Sequence, residues 1–136
     1  MRIATPVRRS LSGALLAACA LATMAAAATA STRRHTQLVK SQPSAHDTLT
    51  VAPKAIKLWF SEKVELKVTT VKLRNAAGSS LLLGAAARDD AEKNAPVVVP
   101  IVKPLAPGAY TIAWSAAAAD GHPAKGTINF LVKGAP

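Results

Sequence analysis

The sequence predicts an all-β protein, a Greek-key β-sandwich of about seven short strands. Two observations carry this. Prolines and glycines, among them Pro43, Pro53, Gly78, Gly84, Pro96, Pro100, Pro104, Pro107, Gly108, Gly121, Pro123 and Gly126, break the chain beyond residue 34 so often that few stretches remain long enough for a typical helix. The runs between these breaks alternate apolar and polar residues with a period of two, which places one set of side chains on each face of a strand.

The strands are expected in order as follows. A first short one lies near Gln37–Lys40. Ala55–Phe60 sets Ile56, Leu58 and Phe60 on one face and Lys57 and Trp59 on the other. Val68–Arg74 opposes Val71 and Leu73 to Lys72 and Arg74, and a short strand is expected near Ser80–Leu83. Val97–Val102 is a denser apolar run interrupted by Pro100. Ala109–Ser115 aligns Tyr110, Ile112 and Trp114, and Thr127–Lys133 aligns Ile128, Phe130 and Val132. Ala85–Ala95, alanine-rich and then charged, is expected to form one helical turn or a loose loop.

Before this domain stands a different kind of segment. Arg2, Arg8 and Arg9 precede an apolar or small-residue stretch, Leu11 to Ala28, which ends in Ala28-Thr29-Ala30. A basic start, an apolar centre and small residues at minus three and minus one describe a secretory signal peptide, expected at residues 1–30. Its alanines supply little transfer energy, so a cleaved signal is favoured over a membrane anchor, and no stable span is expected afterwards. The mature chain would begin at Ser31, in the periplasm. Leu16-Ala17-Ala18-Cys19 offers a second processing option, a lipoprotein box that would lipidate Cys19. Cys19 is the only cysteine, so the domain of residues 31–136 is expected to fold without a disulfide.

Loss of the three leader arginines leaves 14 basic residues against 7 acidic ones, a balance of +7. The lysines are scattered singly from Lys40 to Lys133, with no basic helix or aromatic-studded strand among them. Nucleic acid is therefore not an expected partner.

The mature chain holds three histidines, His35, His46 and His122. Asp120-Gly121-His122-Pro123 follows a strand, and in extended geometry residues two apart project to the same side. Asp120 and His122 would then form half a site for Cu(II) or Zn(II). His46-Asp47 reads as a solvated polar turn. Trp114 and Phe130 fit core packing, and Trp59 fits partial burial on the second face. Ser61 and Ser115 have no His–acid arrangement beside them, so hydrolase chemistry is not expected.

His35 followed by Leu38, Ser41 and Pro43, then Leu58-Trp59-Phe60-Ser61-Glu62, then Gly108-Ala109-Tyr110 with Trp114, and Asp120-Gly121-His122 with Gly126 and Phe130, together resemble the CopC family of periplasmic copper-binding proteins. The resemblance runs from His35 to Val132. It implies a seven-stranded immunoglobulin-like or cupredoxin-like sandwich whose Cu(II) site joins an N-terminal histidine, matched by His35, to the Asp-x-His motif, matched by Asp120 and His122. Glu62 matches a carboxylate near the metal. Two departures stand out. Family members usually start with that histidine and use its amino group as a ligand, whereas Ser31-Thr32-Arg33-Arg34 precedes His35 here. No methionine follows Met24, so the soft thioether donors that select Cu(I) are missing.

The expected function is a periplasmic Cu(II) carrier or buffer in copper homeostasis or resistance, passing its ion to a copper-handling inner-membrane protein. The alternatives are a partner-binding sandwich with a degenerate metal site and, less favoured, an oxidative enzyme with a histidine brace; no enzyme activity is expected.

Overall fold

The computed structural model describes residues 35–134. The leader expected at residues 1–30, with Cys19, and the segment Ser31–Arg34 lie outside the described residues. Eight strands form among the described residues: β1 (Leu38–Gln42), β2 (Thr48–Leu49), β3 (Ala55–Phe60), β4 (Thr70–Asn75), β5 (Ser80–Leu81), β6 (Val97–Pro100), β7 (Gly108–Ala117) and β8 (Pro123–Val132). A 3-10 turn, Leu66–Val68, precedes β4. Two sheets result, β1-β3-β6 and β2-β8-β7-β4-β5, and together they make a β-sandwich. No helix among the described residues is long and apolar enough to cross a membrane.

The core lies between the sheets because alternation sends every second side chain inward. Ile56 and Leu58 of β3 and Val97 and Val99 of β6 come from the three-stranded sheet; Leu73 of β4, Tyr110, Ile112 and Trp114 of β7, and Ile128, Phe130 and Val132 of β8 come from the other. Ile56, Leu58, Leu73 and Ile112 are fully buried. Burial of each such side chain contributes about 1.5–3 kcal/mol. Phe60 meets Trp114 edge-on with ring centroids 5.4 Å apart, and Tyr110 stacks on Phe130 at 5.5 Å.

Several expectations are corrected at their edges. β2 was not expected: its two residues carry no alternation, and what makes it a strand is a partner distant in sequence, β8, with which it pairs in parallel. β7 runs past Ser115 because the alanines that follow, Ala116–Ala118, are small enough to be buried rather than forming a break. β8 starts at Pro123 rather than Thr127, as its first residues pair with the end of β7. β6 stops at Pro100, and Val102 is exposed. Residues 85–95 form no helix. They are a loop tied down by a bridge between Ala87 and Val98 and by Arg88, whose Nη1 donates to the Val64 carbonyl at 2.7 Å.

One segment positions the candidate site. Leaving β3, the chain Ser61–Val64 runs between the residues that precede β1 and the connection from β7 to β8. On one side Ser61 N–H donates to the Gln37 carbonyl at 2.8 Å. On the other, Val64 pairs with Ala118, and Glu65 N–H donates to the Ala117 carbonyl at 2.8 Å. Residues 35 and 120, far apart in sequence, are thereby gathered at one end of the sandwich.

Candidate metal site

The β7–β8 connection is a tight hairpin. Gly121 N–H donates to the Ala118 carbonyl at 3.0 Å, and Gly121 holds φ at +78°, the left-handed region that costs glycine nothing. Asp120 and His122 flank this glycine. Asp120 Oδ1 accepts the His122 backbone N–H at 3.2 Å, and its Oδ2 lies 3.5 Å from His122 Nδ1. The expected proximity of these two side chains is therefore present, but its cause differs from the one inferred. A turn closes on itself; the pair does not share the face of an extended strand.

His35 approaches from the other direction. Its ring stands edge-on to the His122 ring, with centroids 5.9 Å apart and planes at 61°. An imidazole nitrogen binds a divalent ion at about 2.0–2.1 Å, so two rings sharing one ion have centroids roughly 4.5 to 6.3 Å apart. The observed spacing falls in that range. The His122 side chain is 61% exposed and the Asp120 side chain is 29% exposed.

Glu62 lies at the same end of the sandwich, but its recorded partner is not one of these groups. Its Oε1 accepts a hydrogen bond from Thr36 Oγ1 at 2.8 Å. The ion pairs with Lys63 or Lys125 that compete for such a carboxylate do not form, and Lys63 Nζ sits 3.2 Å from Asp90 instead. Among the described residues no three His, Cys, Asp or Glu side chains are grouped closely enough to hold an ion as they stand. What exists is two pairs, His35–His122 and His122–Asp120, that share His122.

The remaining candidates fall elsewhere. His46 is exposed, and its N–H donates to the Asn129 carbonyl at 2.7 Å. That carbonyl is six residues along β8 from Pro123, about 20 Å from the hairpin at strand rise. Asp47 caps its own turn by accepting Ser44 N–H at 2.8 Å. Trp59 is half-buried beneath Lys40, whose Nζ lies 4.8 Å from the ring centroid. Ser61 Oγ accepts Gln37 N–H at 3.0 Å, a structural role. Asp90 was not singled out from the sequence: a hydrogen bond from Arg88, reinforced by Lys63, holds its carboxyl below the usual carboxylate range. Thr36 was also missed. It is a buried polar residue, 3% exposed, between the exposed His35 and Gln37, and no local pattern marks it.

Comparison with known proteins agrees with this architecture. Residues 38–133 match the CopC domain family. Protein YobA of Escherichia coli (strain K12) is 34% identical over 99 residues, covering 73% of this chain and 79% of that one. Copper resistance protein C of Xanthomonas campestris pv. juglandis is 34% identical over 114 residues, covering 80% and 88%. Among solved structures, CopC from Methylosinus trichosporium OB3b aligns with a TM-score of 0.67 at 25% identity, covering 75% of this chain and 97% of that one. PcoC, a methionine-rich copper resistance protein from Escherichia coli, aligns with a TM-score of 0.62 at 31% identity, covering 73% and 99%. Matched in sequence over residues 38–133 and similar in fold to solved members, the chain belongs to the CopC family.

Proposed function

We propose that this protein binds Cu(II) in the periplasm through His35, Asp120 and His122, and that it carries or buffers the ion in copper homeostasis. The observation that carries the reading is the pair of imidazoles 5.9 Å apart with a carboxylate 3.5 Å from one of them. Membership in a family with relatives named for copper resistance supports copper as the cargo.

The donor chemistry supports the oxidation state. Imidazole and carboxylate suit Cu(II), which also stands at the top of the divalent affinity order. Beyond Met24 the chain offers no thioether, the donor Cu(I) selects. Asp120 has a further task, since a divalent cation must enter a chain with an excess of positive charge. Its carboxylate offsets the ion's charge where the ion would sit. A carrier must also release its ion, and an exposed His122 allows ligand exchange with a recipient, for which we propose a copper-handling protein of the inner membrane.

One observation favours a second reading, a sandwich with a degenerate site that serves as a partner-binding module: the three side chains are not gathered into a group. An equilibrium Cu(II) titration separates the two. The carrier reading expects one tightly bound ion per chain and its loss in His122→Ala. Equal binding in the variant excludes the proposed site.

A further inference from the structure

The stretch that carries His35 is fastened to the sandwich by groups that the metal reading does not use. β1 and β3 stop pairing at Leu38 and Phe60. Beyond that point a second set of bonds continues the seam toward His35. Gln37 N–H donates to Ser61 Oγ at 3.0 Å, and Ser61 N–H donates back to the Gln37 carbonyl at 2.8 Å. One residue further out, Thr36 Oγ1 donates to Glu62 Oε1 at 2.8 Å. Thr36 is 3% exposed although both its neighbours are exposed, so its side chain is turned inward while that of His35 is turned out.

We propose that Thr36 is a positioning residue for His35, and that Glu62 acts on the site by holding Thr36 rather than by coordinating the ion. The proposal rests on the metal-binding reading above. Its physical basis is entropic. A histidine on an unfastened segment samples many positions, and ordering that segment when the ion binds costs conformational entropy. Here the Thr36 and Gln37 bonds meet that cost during folding. The residue next to His35 is fixed, and the imidazole is left within reach of His122. Outer groups that orient a metal-binding histidine typically carry 10–100-fold in affinity. The bond also occupies one oxygen of Glu62 and leaves Asp120 as the carboxylate beside the histidines.

Three variants of the full chain, with Cu(II) as the probe, test this. Thr36→Val keeps the shape and removes the donor; Thr36→Ser restores a donor; Glu62→Gln keeps an acceptor oxygen and removes the charge. Competition titration, continuous-wave EPR and a melting curve are recorded for each. The expected result is roughly tenfold weaker Cu(II) binding in Thr36→Val with an altered EPR spectrum. Thr36→Ser returns to wild-type affinity, and Glu62→Gln keeps the wild-type EPR spectrum. Wild-type affinity in a folded Thr36→Val overturns the proposal, as does a Glu62→Gln spectrum that shows a lost oxygen ligand. Should Thr36→Val fail to fold, the decision passes to the other two: a changed spectrum in Thr36→Ser or Glu62→Gln overturns it, and unchanged spectra support it. A wild-type protein that takes up no Cu(II) overturns the metal-binding reading itself, and this inference with it.

Discussion

Asp120, Gly121 and His122 show how three residues create a local chemistry that a strand would not. Gly121 adopts a left-handed backbone, which folds the carboxylate back toward the imidazole. Gly126, a few residues on, is glycine for a different reason. A β-carbon there would lie 2.9 Å from Trp114 Cζ2, and that ring is held by Phe60. Gly126→Ala is therefore expected to destabilise the fold by about 1–3 kcal/mol, as overpacking does, with the loss read from chemical denaturation. Asp90 makes a weaker prediction with a definite sign. Its carboxyl is held below the ordinary range by Arg88 and then Lys63, so its contribution is present above the unfolded-state pKa and is lost as pH falls through the lowered value. Asp90→Asn should lower the melting temperature slightly near neutrality, and the difference from wild type should vanish in acid. At this scale the sequence was partly legible. Asp-x-His stood out because it sets a carboxylate and an imidazole two residues apart, and His35 entered through the family resemblance, whereas the Thr36–Glu62 bond joins residues 26 apart and leaves no local signature.

Among the elements, legibility followed side-chain size. β3 matches its expected limits, Ala55–Phe60, because bulky apolar residues alternate with polar ones along it. β7 and β8 were found for the same reason, but their ends were not, since Ala116–Ala118 and Ala124–Gly126 carry little hydrophobic contrast. β2 was invisible because a two-residue strand exists only through its parallel partner β8. The loop of residues 85–95 had two readings from composition, and a long-range contact decides between them. Arg88 reaches across to the Val64 carbonyl with a side chain 10% exposed. Arg88→Ala leaves that carbonyl without its donor and should cost about 1–3 kcal/mol. Hydrogen exchange should then accelerate at Ala87 and Val98, whose mutual bonds at 2.9 and 2.7 Å hold the loop to β6. Unchanged protection there would show that the loop is held by other contacts.

For the molecule as a whole, the sandwich also limits its own edges. β2 and β5, at the two ends of the larger sheet, are two residues long, and β1 carries a bulge at Val39, features that discourage pairing with another chain. The consequence of the topology that matters most for function is the meeting of a histidine before the first strand with a hairpin late in the chain, through the segment Ser61–Val64 between them. Pulsed EPR on the Cu(II)-loaded protein tests that meeting directly, because it counts the imidazoles on the ion. The account predicts two in the wild type, and one each in His35→Ala and His122→Ala. A wild-type spectrum showing a single imidazole, unchanged by His35→Ala, would contradict it.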